Sequence, residues 1–160
     1  MSELNKEMSL LWHFSDNENK IHLLYLAYAD KFPEKSQLWV KLAKDEKRHA
    51  ALLADLDERF ASEASTEKMS ESALAILDYV GNFIENCFTK ISKEDFTFED
   101  ALDDALCLEQ SMIEKKNFEI FPTANSEIKQ VLERLNSETQ GHRRWLEQFT
   151  KGEFILGSDD

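Results

Sequence analysis

Apolar residues recur three and four positions apart through most of this chain, and an acid interrupts four of the stripes. Leu11, Phe14, Glu18, Ile21, Tyr25, Tyr28 and Phe32 form the first series, which is the signature of one helix face. Trp39, Leu42, Glu46, His49, Leu53, Leu56 and Phe60 form the second. Pro33, in KFPEKS, stops the first helix and makes a short turn. The spacing predicts two antiparallel helices over about 10–60, with Ser15 or Asp16 as an alternative start for the first.

The polar stretch SEASTEKMSES (Ser62–Ser72) reads as a loop, and SALAILDYVGNFIENCFTKI (Ser72–Ile91) as a helix inside a long crossover over about 61–97. A third stripe, Leu102, Leu106, Glu109 and Ile113, lies in a helix from about Phe98 to Phe118; Lys116 breaks it. FPTANSE turns the chain, with Pro122 as breaker and Thr123, Asn125 or Ser126 as N-cap. The fourth stripe is Ile128, Val131, Leu135, Glu138, His142, Trp145 and Phe149. Two helix pairs, about 10–60 and 98–150, are therefore expected in one all-α domain spanning 1–160, with an acidic tail over 151–160.

Composition supports this reading. Four Gly and two Pro among 160 residues, with 32% charged, suit long helices and leave few places for a sheet to turn. The net charge of −13 repels phosphate and argues against nucleic acid or an anionic membrane as partner. Cys87 and Cys107 form no CxxC pair and read as two buried free thiols in a reducing cytoplasm. The start MSELNKEMSLLWHF has no basic n-region or long apolar stretch, and no run approaches the ~20 apolar residues of a membrane span. A cytoplasmic location is expected.

The interruptions carry the chemistry. Two stripes hold a lone acid, Glu18 and Glu109; two hold an acid followed by a histidine, Glu46 with His49 and Glu138 with His142. Residues three or four apart share a helix face, so all six can point to one place between four helices. Several buried carboxylates would repel, at a cost of several kcal/mol each, against a folding stability of only about 5–15 kcal/mol. Two divalent cations would cancel the charge and use both imidazoles; carboxylate with imidazole suits iron or manganese. Alternatively, Arg48, Lys116 and Arg134 pair with the acids in a metal-free core. A Glu from each of two helices and a Glu–His pair from each of two others is also the inventory of ferritin-like dimetal proteins. His13, beside Trp12, reads as a partly exposed packing residue. His22, four after Glu18, is a core residue or a further inward donor. Tyr25, next along the stripe, is a core tyrosine or a hydrogen-bond donor to a bridging carboxylate.

The sequence resembles the rubrerythrin branch of the ferritin-like superfamily. ENKIHLLYLAYADKFPEKSQLWVKLAKDEKRHAALLADL (Glu18–Leu56) is similar to that family's first helix pair nearly throughout; ALDDALCLEQSMIEKKNFEIF (Ala101–Phe121) and LERLNSETQGHRRWLEQF (Leu132–Phe149) resemble the second more faintly. The resemblance implies a ferritin-like four-helix bundle, with Glu18, Glu46, His49, Glu109, Glu138 and His142 as ligands of two irons. It implies reduction of peroxide or O₂ in oxidative-stress defence. The second motif departs from the family pattern: Glu138 is four before His142, and Thr139 occupies the place matching Glu46. The CxxC pairs of a rubredoxin-like module are also missing, so an external partner would deliver electrons. Iron storage, transport or sensing, or a metal-free scaffold, is the alternative function. A homodimer is expected, with the crossover helix covering an apolar surface.

Overall fold

The computed structural model describes residues 8–64, 71–114 and 125–152, and every regular element among them is helical. Helix α1 spans Leu10–Lys31. It starts where Ser9 Oγ accepts from the Trp12 N–H at 3.0 Å, so Ser9 is the cap, not Ser15 or Asp16. The Ser9 hydroxyl also donates to Asp57 of the next helix. Phe32 closes α1 by donating its N–H to the Tyr28 carbonyl at 2.9 Å, and Pro33 opens a single 3-10 turn, Pro33–Lys35. Helix α2 follows as Ser36–Phe60.

Helix α3 spans Glu71–Ile91, α4 spans Phe98–Glu114 and α5 spans Ser126–Thr150. Thr97 and Asp100 cap α4 reciprocally, each accepting the other's N–H at 3.1 and 2.9 Å. Asn125 Oδ1 caps α5 by accepting from Glu127 and Ile128. The extension of the α4 pattern through Lys116 to Phe118, the Pro122 break, Thr123, most of the Ser62–Ser72 loop and the acidic tail lie outside the described residues.

Helix α1 packs along α2, and α4 along α5; α3 lies chiefly on α1 and touches α4. Helix α2 meets α5 only over a short stretch. Two apolar clusters result. One gathers Leu24, Tyr28, Trp39, Leu42, Ala101, Ala105 and Leu146. The other gathers Leu10, Phe14, Leu53, Leu56, Ile128, Leu132 and Leu135. Each fully buried Leu or Phe contributes about 1.5–3 kcal/mol. On α1, α2 and α5 alike the clusters occupy opposite ends, leaving a polar level between them.

Two expectations change. His13 is buried, at 4% exposure, and edge-on to Trp12. Cys87 is buried in the first cluster, but Cys107 is exposed because α4 turns Leu108, not Cys107, inward. Among the described residues, no helix is long and apolar enough to cross a membrane.

Candidate metal centre

The polar level holds Glu18 from α1, Glu46 and His49 from α2, Glu109 from α4 and His142 from α5, each less than 8% exposed. The stripes place them there: each residue sits at a core-facing position where an apolar side chain would otherwise stand. Two donor sets form. Glu18, Glu46 and His49 are one; Glu46, Glu109 and His142 are the other. Within each set the ligand atoms lie within 4.8 Å of one another, and Glu46 belongs to both.

The imidazoles have a common logic. His49 Nδ1 lies 3.2 Å from Glu46 Oε2, and His142 Nδ1 lies 2.9 Å from Glu46 Oε1 and 3.6 Å from Glu109 Oε1. Their rings stack with centroids 5.7 Å apart. Each Nε2 faces outward to another carboxylate. His142 Nε2 meets Asp45 Oδ2 at 3.0 Å, and His49 Nε2 lies 3.4 Å from Glu138 Oε2. At His142 the hydrogen-bonded carboxylate on the outer nitrogen orients the ring and leaves the inner one for a metal.

Tyr25 is fully buried and donates its hydroxyl to Glu109 Oε1 at 2.7 Å. It therefore holds an acid of one donor set, not the shared Glu46. His22 takes no part: its Nδ1–H donates to the Ala43 carbonyl at 2.8 Å.

Glu138 does not join either donor set. It is half-exposed, and the Arg48 guanidinium grips both its oxygens at 3.2 and 2.6 Å, with Arg134 at 3.7 Å. The buried position is Thr139, at 6% exposure, whose hydroxyl donates to the Leu135 carbonyl at 2.9 Å. The reason is angular. Position 139 is three before His142 and shares its inward face, as Glu46 does with His49, whereas position 138 is rotated about 100° toward α2.

Electrostatics match the geometry. Burial, then the charges of Glu46 and Glu109, raise Glu18 well above the ordinary carboxylate range. Burial and Glu46 likewise raise Glu109, against the opposing effect of His142 and Tyr25. Burial would also raise Glu46, but hydrogen bonding with Glu18 and the approach of both histidines outweigh it and hold Glu46 well below the ordinary carboxylate range. Burial would lower His142, yet Asp45, Glu109 and Glu46 surround it and raise it far above the usual imidazole value. Without metal, the site thus favours the proton on Glu18, Glu109 and His142 and the negative charge on Glu46.

Three buried atoms of the site make no well-aligned hydrogen bond: His49 Nε2 on its outer side, and Glu46 Oε1 and His142 Nδ1, which lie close together. Such groups are rare in native interiors and costly. Glu46 Oε1 and His142 Nδ1 converge as two donors on a third centre would require. The residues present therefore fit one bridging carboxylate, two flanking carboxylates and two Nδ1 donors. Spacing alone points to all five. It does not reveal Asp45, which reaches the site from the position before Glu46 only because α5 passes there. Comparison with protein-family models, with curated proteins and with solved structures gives no match for this chain.

Proposed function

We propose that this chain is a dinuclear metal protein of rubrerythrin type, built on a ferritin-like four-helix arrangement of α1, α2, α4 and α5. The observation that carries the proposal is Glu46, a buried carboxylate common to two donor sets, each completed by one further acid and one imidazole. Iron is the preferred metal for this hard oxygen and borderline nitrogen set, with manganese the next. Glu18, Glu46 and His49 would hold one ion; Glu46, Glu109 and His142 would hold the other. Two ferrous ions so placed would supply two electrons, enough with two protons to reduce peroxide to water or O₂ to peroxide, and an external donor would restore them.

The protein's own part is positional. Asp45 turns the His142 imidazole so that Nδ1 faces inward. Tyr25 fixes Glu109 and keeps a proton at its hydroxyl beside the site. The apolar clusters on either side exclude water. A homodimer is proposed through the apolar side chains that α1 and α3 leave exposed, Leu23, Leu26, Tyr79 and Phe88.

A second reading, iron storage, transport or sensing, draws on Glu138, whose engagement with Arg48 leaves the centre one carboxylate poorer than a doubly bridged site. Anaerobic loading with Fe(II) separates the readings. Two irons per chain that oxidise rapidly with peroxide, giving near-ultraviolet absorption of a coupled ferric pair, support the peroxide reaction. Two irons that oxidise slowly favour storage or transport. No bound iron, with unchanged thermal stability, leaves only a metal-free scaffold.

A further inference from the structure

Resting on the metal-binding reading above, we infer that the Arg48–Glu138 pair is the gate through which a divalent cation reaches and leaves the buried cluster. The donor sets are enclosed. Apolar clusters close both ends, α1 is packed along α2, and α4 along α5. Of the two other sides, that between α1 and α4, whose own contact is slighter still, is covered by α3, which packs on both and brings Gly81 beside Asn17; the weak wall is between α2 and α5, which meet only over a short stretch. At the level of the site that wall consists of charged side chains: Asp45, Arg48 and Glu138, exposed by 31, 39 and 30%. Among the described residues, Glu138 and Asp45 are half-exposed groups that touch the buried imidazoles directly, at 3.4 and 3.0 Å.

Entry through either apolar end would strip a cation of water with nothing to replace it. Entry through the charged wall lets carboxylate oxygens replace water stepwise, from Glu138 to His49 and Glu46. Arg48 opposes this in two ways. Its fork occupies both oxygens of Glu138, and its positive charge repels an arriving cation. Arg48 is itself accessible, so it can swing outward by exchanging protein partners for water. Opening leaves Glu138 as the first carboxylate the ion meets.

Metal-free full-length protein is mixed with Co(II), which reports N/O ligation by its visible absorption, in a stopped-flow instrument. Release is followed after adding a strong chelator. Arg48→Met should raise uptake and release rates about fivefold, the scale of one half-exposed ion pair, with cobalt per chain unchanged. Glu138→Gln should slow uptake about as much, since the capturing charge is lost, again with cobalt per chain unchanged. Both side chains are half-exposed, and circular dichroism melting confirms that each variant folds. Rates unchanged in both variants would overturn the gate and leave the metal centre standing. Less cobalt per chain in Glu138→Gln would also overturn it, by making Glu138 a resident ligand. No cobalt bound to the unaltered protein would overturn gate and metal centre together.

Discussion

Glu46 touches the imidazole of each donor set, with one oxygen 3.2 Å from His49 Nδ1 and the other 2.9 Å from His142 Nδ1. That places unequal demands on the three buried acids. Glu46→Gln removes a donor from both sets, whereas Glu18→Gln and Glu109→Gln each weaken one. Metal analysis after anaerobic loading should find none in the first variant and about half the full complement in the other two. Equal losses in all three would deny Glu46 its shared role.

The same side chains set a pH dependence. Glu18 and Glu109 are raised, so their contribution to folding is fully present below about pH 4.3 and lost as pH rises through their folded values. His142 is also raised; its contribution is fully present below about pH 6.5 and is lost as pH rises toward its folded value. Glu46 is lowered, and its contribution is present above about pH 4.3 and lost as pH falls. From about pH 6.5 to 8.5 only the declining contributions change, so the metal-free protein should melt at progressively lower temperature. Metal ions compete with those protons, so the rise in Tm on adding Mn(II) should grow over the same range. Calorimetry at fixed ionic strength measures both, and a Mn(II) effect that shrinks with pH would contradict the assignment.

At the scale of elements, helix positions were legible because Pro33 and Asn125 are strong punctuation in a chain with few other breaks. Which side of a helix faces inward was legible only where one stripe is apolar. On α2 it is, and Trp39, Leu42, Glu46, His49, Leu53 and Leu56 are all buried. On α5 the neighbours Val131–Leu132 and Trp145–Leu146 offer two apolar stripes about 100° apart. The structure buries Ile128, Leu132, Leu135, Thr139, His142 and Leu146. The stripe with Val131 and Trp145 would bring Glu138 inward; packing against α4 selects the other. Asn125 fixes where that helix starts, not which face turns inward. Asn125→Ala should destabilise the protein by about 1 kcal/mol in urea unfolding, through the lost cap, and leave metal content unchanged. Loss of metal together with stability would show that the α5 start also sets the register of His142.

Across the whole molecule, five buried ionisable groups sit between two apolar clusters, each of which would be continuous with the other if those groups were hydrocarbon. Apolar residues of similar volume in place of buried ion networks are often neutral, or stabilising by about 1–4 kcal/mol, because desolvation of charge is no longer required. The triple variant Glu18→Met, Glu46→Met and Glu109→Met joins the clusters while His142 keeps Asp45 as its partner. Its metal-free form should melt at or above the temperature of the unaltered metal-free protein, and Fe(II) or Mn(II) should no longer raise that temperature. In the unaltered protein, a free ion at 100 times its Kd should add about 2.7 kcal/mol. A triple variant destabilised by several kcal/mol would instead mean that Glu46, Glu109 and His142 hold the helices together as an ion network in their own right. That outcome would favour the metal-free scaffold. The polar level is costly without metal, and a protein that keeps such a level at the junction of four helices needs an ion or a fold-specifying network to offset it.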